Sequence, residues 1–273
     1  MERTWPSTSV NAAVPSRVQQ LVVAHLEQVD QAAPGLIEML YLTGSVALGD
    51  YRPGVSDVDF LAVTSRTLDA GDLAAVAAAH EAMPAPSRYD GIYLERGALA
   101  TTPDDCPVVP HIVNGVFRTE QRCGELNPVL WLMLTRYGIT MRGLSTPDLD
   151  VRVDPHRLRR WNLDNLRSYW QPLAERIRQE VAGRAATEIA DSDSVMWAVL
   201  GPPRLHYTLA TGDVMSKTGG GRYAAQQFPA WGKLAAQAVA CRAGQPVEFV
   251  TTDALAAAAM VDAVVEDAWR RWG

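Results

Sequence analysis

Apolar residues recur at helical spacing near the start of the chain, where Val18, Leu21, Val22, Leu26 and Val29 share one face; Ser16 is placed to cap that helix and Pro34-Gly35 to end it. The pattern then tightens into an apolar run of strand length, Ile37 to Thr43, followed by a short helix after Gly44-Ser45, a Pro53-Gly54 turn and a second strand reaching Val63. The Ala-rich stretch Leu73 to Ala82 predicts another helix, closed by Pro84 and Pro86, and Arg88 to Glu95 a third strand. Between Thr101 and Gly124 the signal is weak: a Pro- and Asp-rich run suggests an extended loop, with His111 to Phe117 as a fourth strand. Asn127-Pro128 opens a helix that stops at Gly138, and Ile139 to Arg142 is a short strand.

Past Pro147-Asp148-Leu149-Asp150, the best linker candidate, the spacing is helical throughout. A long helix from Asp154-Pro155 carries Leu158, Trp161, Leu166, Tyr169, Trp170, Leu173, Ile177 and Val181 on roughly one side, an aromatic stripe suited to a core. Further helices are expected over 195–200, 205–210, 223–228 and 234–242, and a last one from Leu255 to Trp272 burying Leu255, Ala259, Val261, Val265 and Trp269. The pattern therefore predicts an α+β chain: strands mixed with helices over 1–147, then an all-α bundle over 148–273.

Composition narrows the class. At 273 residues and 48% hydrophobic content the chain is long enough for packed cores, and a formal net charge of −6 argues against binding a phosphate backbone. The same acidity either keeps the protein soluble or attracts a polycationic small molecule. Cys106, Cys123 and Cys241 are too few and scattered for a zinc set or disulfide framework, and no apolar run is long enough to cross a membrane. A cytoplasmic, unanchored monomer that binds no nucleic acid is expected.

The candidate chemistry lies in Ser56-Asp57-Val58-Asp59-Phe60. Side chains alternate along a strand, so Asp57 and Asp59 share a face while Val58 and Phe60 enter the core. Two carboxylates on a mostly buried strand call for a cation, and Mg²⁺ uses one or two protein carboxylates plus substrate phosphate oxygens. Gly44-Ser45 permits close approach of the backbone to a phosphate. Together these residues suit a metal-bound nucleoside triphosphate.

Gly44-Ser45 followed by Asp57-x-Asp59 resembles the signature of the DNA polymerase β-like nucleotidyltransferase superfamily. The Leu-Thr-Gly-Ser and Ser-Asp-Val-Asp-Phe-Leu surroundings are most similar to aminoglycoside O-adenylyltransferases of the streptomycin/spectinomycin-modifying type. The downstream segment from Tyr207 to Lys217, with Thr211-Gly212, resembles part of the helical domain of those enzymes. The resemblance implies a mixed-sheet nucleotidyltransferase domain, a helical domain, ATP as co-substrate and Mg²⁺ held by Asp57 and Asp59. It also implies a third carboxylate from the neighbouring strand, where the family carries a glutamate resembling a general base. By its place in the chain Asp90 is the candidate for base and third metal ligand; it could instead be a turn residue before Gly91, and Glu95 is the reserve.

Lys217 matches the family's nucleotide-contacting lysine, and beside Gly219-Gly220-Gly221 it reads as a mobile charge able to reach triphosphate across a domain cleft; a solvated surface lysine is the alternative. Arg204 and Arg222 are weaker phosphate candidates, and His111 reads as structural rather than substrate-contacting. Asp191 and Asp193 precede a helix near Ser194, which helix capping explains; they also fall where the family uses acidic residues on the drug's amines. The chain departs from the family in its Gly201-Pro202-Pro203 break and in lacking a placeable tryptophan just upstream. The implied reaction is transfer of AMP from Mg-ATP to a hydroxyl of an aminoglycoside or aminocyclitol, the basis of antibiotic resistance. The alternatives are another small-molecule or protein acceptor, or a non-catalytic nucleotide- or drug-binding relative.

Overall fold

The computed structural model describes residues 14–83, 88–100 and 107–273, which fall into two compact units meeting at Asp154/Pro155. Pro84, Pro86 and Cys106 lie outside the described residues. Leu149, Val151 and Val153 pack on a core of the first unit, so the stretch read as a linker belongs with that unit.

The first unit runs α1 (Ser16–Ala32), β1 (Ile37–Leu42), α2 (Gly44–Ala47), β2 (Val58–Thr64), α3 (Ala70–Glu81), β3 (Tyr89–Glu95), β4 (His111–Val113), β5 (Val116–Arg118), α4 (Pro128–Tyr137) and β6 (Ile139–Arg142). Its six strands form one sheet in the order β5-β4-β3-β2-β1-β6, with β2 and β3 parallel and every other pair antiparallel. Both faces are covered, which is why β2 reads as a nearly unbroken apolar run. Phe60 and Ala62 pack with α1 and α3 residues such as Val22, Leu26 and Val76, while Leu61 and Val63 pack with Trp131 and Leu134 of α4.

Local chemistry sets several boundaries. Asn127 caps α4 by accepting from Val129 N at 3.0 Å and Leu130 N at 3.2 Å, with Pro128 in the first turn. Asp69 and Asp72 form a reciprocal capping box on α3. Ser16 does not cap α1: Pro15 occupies the cap position and Ser16 is already helical. The segment read as a fourth strand is a hairpin, because Asn114 (φ 53°) and Gly115 (φ 70°) both take left-handed conformations and turn the chain between β4 and β5.

The sheet face under α1 and α3 buries a polar network. Tyr93 Oη lies 2.6 Å from His25 Nε2 and 2.7 Å from His80 Nε2, and His25 Nδ1 lies 3.1 Å from Tyr89 Oη. The Phe60 ring stacks on Tyr89 at 4.4 Å, and Gly91 makes room for it, since a Cβ there would fall 2.4 Å from the Phe60 ring.

The second unit is helical: α5 (Pro155–Asn165), a π-turn over Leu166–Trp170, α6 (Gln171–Glu180), α7 (Ser192–Leu200), α8 (Pro202–Thr211), α9 (Lys217–Gln227), α10 (Gly232–Arg242) and α11 (Thr251–Trp272). Ala257, Ala258, Val261, Val264 and Val265 of α11 lie in the core with Leu166, Trp170, Val195 and Val199. The buried stripe of α11 excludes Leu255, which is 43% exposed, and Ala259, because both lie off the Ala254-Ala258-Val261-Val265 face. Tyr169, expected in the core, is exposed. No helix among the described residues is long and apolar enough to cross a membrane.

The buried histidines fix a pH dependence. Burial lowers the pKa of His80 from its usual 6.5 to about 4, and burial, with His80 and Arg142 adding to it, holds His25 well below that usual value. The unfolded chain therefore takes up protons that the native state refuses, so stability is complete above pH 6.5 and falls between 6.5 and about 4. For His80 the loss approaches ~3 kcal/mol at the acid end. Thermal melts should show Tm declining from pH 6.5 downward, with a shallower decline in His80→Gln; equal slopes would contradict this origin.

Candidate functional site

The site of the first unit is built where α2 leaves β1 and where β2 and β3 begin. Parallel pairing sets Asp59 directly opposite Asp90, and Leu61 opposite Ile92, so both carboxylates emerge on the α4 side of the sheet. Asp57 lies just before β2, half-exposed, with Arg88 Nη1 at 3.6 Å from its carboxylate.

Gly44 closes this corner against Asp59. Its backbone is left-handed (φ 57°), and a Cβ would sit 1.8 Å from Asp59 Oδ2, so both conformation and space demand glycine. Thr43 N donates to the Asp59 carbonyl at 2.9 Å, and Ser45 Oγ donates to the Asp57 carbonyl at 3.3 Å. These bonds tie the Gly-Ser corner to the backbone of both aspartates.

Asp90 is a strand residue, not a turn residue, and the Asn114-Gly115 turn holds it. Asn114 N donates to Oδ2 at 2.8 Å and Gly115 N to Oδ1 at 3.3 Å. Burial raises the Asp90 pKa; the two amide bonds and Arg118 oppose that rise, and the Asp57 charge adds to it. Glu95 is exposed at the other end of β3, ~17 Å along the strand at the usual rise per residue, and accepts from Thr67 Oγ1. It is remote from Asp57 and Asp59. His111 is buried, with Nδ1 2.8 Å from the Val109 carbonyl, which accounts for it structurally.

The donor set is made of carboxylates, the chemistry that hard divalent cations take. No three acidic, histidine or cysteine side chains among the described residues are already gathered into a metal-binding group. Asp57 also faces Arg88 and Asp90 faces the turn amides, so Asp57 and Asp59 are the pair that could hold a hard cation such as Mg²⁺.

In the second unit Lys217 is the first residue of α9, which Ser216 caps by accepting from Gly219 N at 3.1 Å. The neighbouring glycines are not a flexible tether. A Cβ at Gly220 would lie 2.9 Å from the Leu200 carbonyl and one at Gly221 2.4 Å from Val239 Cγ2, so they serve close packing of α9 on α7 and α10. Lys217 Nζ lies 4.9 Å from the Trp197 ring centroid and Arg204 Cζ 5.8 Å from it, bringing these two candidates to one indole. Arg222 is exposed. Asp191 caps α7, its carboxylate accepting from Ser194 N at 2.8 Å, and the Ser194 hydrogen bonds hold its pKa low. Asp193 is exposed in the first turn.

Residues 23–95 match the family described as nucleotidyltransferase domain. The chain carries a nucleotidyltransferase domain. That stretch contains Gly44, Ser45, Asp57, Asp59 and Asp90, and it makes the protein an enzyme of nucleotidyl transfer. Among solved structures, the chain is similar to spectinomycin adenyltransferase AAD(9) from Enterococcus faecialis, a structure with ATP and spectinomycin, at a TM-score of 0.66 and 14% identity. The match covers 90% of this chain and 98% of that one, so the folds agree through both units. No curated protein matches the chain by sequence.

Sequence reasoning missed Arg88, the Asn114-Gly115 turn and Trp197. The Asn-Gly pair between apolar residues is a strong hairpin signal, and would have split β4 from β5. Arg88 and Trp197 carried no spacing signal.

Gly44→Ala should push the Asp59 carboxylate aside and lower pyrophosphate release from Mg-ATP by about 100-fold or more while the far-ultraviolet dichroism stays native. Release near the wild-type rate would show that the corner tolerates a side chain.

Proposed function

We propose that this nucleotidyltransferase moves AMP from ATP to a hydroxyl of an aminoglycoside or aminocyclitol, in the class of streptomycin and spectinomycin, and so confers resistance to such a drug in the cytoplasm. The observation that carries the reading is the Asp59–Asp90 pair beside Gly44 in a nucleotidyltransferase domain. The acceptor class is supported by the fold shared with an adenyltransferase whose structure holds ATP and spectinomycin.

Asp57 and Asp59 would hold Mg²⁺, which when bound supplies charge neutralisation at the phosphates. Asp90 would accept the proton of the attacking hydroxyl as the acceptor oxygen bonds to the α-phosphorus and pyrophosphate leaves. Its two amide bonds fix the carboxylate's orientation, and burial together with the Asp57 charge raises its basicity. Gly44 leaves its backbone open to a phosphate, while Lys217 and Arg204 would contribute positive charge to the triphosphate. Asp193, exposed and free of the capping duty that Asp191 performs, is the better acid for an acceptor ammonium.

The test is pyrophosphate release from Mg-ATP with streptomycin, spectinomycin and a panel of aminoglycosides, with mass spectrometry of the products. One drug should gain a single AMP. Turnover with other hydroxylated acceptors and none with the panel would overturn the acceptor class. With the active drug, Asp90→Asn should lower kcat about 100-fold or more and leave the Kd for Mg-ATP within about threefold. An undiminished kcat would remove Asp90 from the base role.

A further inference from the structure

Trp197 belongs to no motif, yet it is the residue on which the second unit's two candidate phosphate ligands converge. Its indole is held by two neighbours. Nε1 donates to Tyr169 Oη at 2.9 Å, and the ring lies 5.1 Å from that of buried Trp170, which itself meets Tyr169 edge-on at 5.0 Å. The π-turn brings Tyr169 and Trp170 to this cluster together, since it contains both. A Cβ at Gly201 would fall 1.9 Å from Trp170, so the break between α7 and α8 admits that ring.

Over this braced ring lie Lys217 Nζ at 4.9 Å and the Arg204 guanidinium at 5.8 Å, within the range at which an aromatic face attracts a cation. Indole is the strongest of the aromatic faces for this purpose. Lys217 and Arg204 come from different helices, α9 and α8, and both side chains are long and rotamer-rich. A shared aromatic platform restricts both of them before any ligand arrives, which lowers the ordering cost of binding an anion.

We propose that Trp197 is a positioning residue for ATP: its indole face holds Lys217 and Arg204 in the arrangement that receives the triphosphate. This rests on the reading of Lys217 and Arg204 as triphosphate ligands, and the variants separate the two. The measurement is the Kd for Mg-ATP by titration calorimetry on the full chain, with no acceptor present. Lys217→Ala should weaken binding about tenfold; an unchanged Kd would overturn the underlying reading. Trp197→Leu should weaken it about tenfold and Trp197→Phe, which keeps an aromatic face, no more than about threefold.

An unchanged Kd in Trp197→Leu alongside a weakened Lys217→Ala would overturn the role of Trp197 alone, as would equal losses in the Leu and Phe variants. Should Trp197→Leu fail to fold, Tyr169→Phe serves in its place, because Tyr169 is exposed and the change removes only the hydroxyl that anchors the indole. It should weaken Mg-ATP binding about threefold, and wild-type affinity would count against the braced platform.

Discussion

The parallel pairing of β2 with β3 is the constraint on which the rest depends, because it sets two carboxylates, Asp59 and Asp90, side by side. Like charges directly opposite on neighbouring strands are destabilising, so such a pair persists only where other forces fix the register. Those forces lie on the opposite face. The Phe60–Tyr89 stack, the space left by Gly91 and the His25–Tyr93–His80 network are buried immediately behind the two acids. A one-residue slip of β3 would put Tyr89 or Gly91 on the active face and a carboxylate into that core.

From this pairing the parts of the site take their places. Gly44 meets Asp59 so closely that no side chain fits; Thr43 and Ser45 bond to the backbone of Asp59 and Asp57; and the Asn114-Gly115 turn reaches back to Asp90. Two separate stretches of chain thus converge on two strand ends. The second unit follows a different logic, in which aromatic rings and close helix packing restrain long cationic side chains. The fold is shared with an adenyltransferase at 14% identity.

Elements with a capping residue or a clean apolar period were legible in the sequence: the face of α1, the capped start of α4 and the bounds of β6 all follow from residues visible along the chain. The closeness of Asp57 and Asp59 to the Gly44-Ser45 corner was legible because their spacing is local. The β4–β5 hairpin was not, since Asn114-Gly115 was absorbed into an apolar run, and with it went the restraint on Asp90. The glycines after Lys217 were misjudged because composition suggests mobility, whereas only tertiary contact reveals that Gly220 and Gly221 sit against α7 and α10. Leu255 and Ala259 failed for a related reason: in an Ala-rich helix several faces look equally apolar, and packing decides which is buried. Trp197 could not be found by any one-dimensional pattern, because its significance lies in Lys217 and Arg204 meeting over it.

We propose above that the Asp59 corner is a metal-dependent nucleotide site. The decisive measurement is ATP binding in the presence and absence of Mn²⁺, followed by calorimetry and by the electron paramagnetic resonance of the ion, in wild type and Asp59→Asn. The metal should tighten ATP binding in wild type, and Asp59→Asn should remove at least about tenfold of that gain with the fold intact. Equal metal dependence in the two proteins would contradict it.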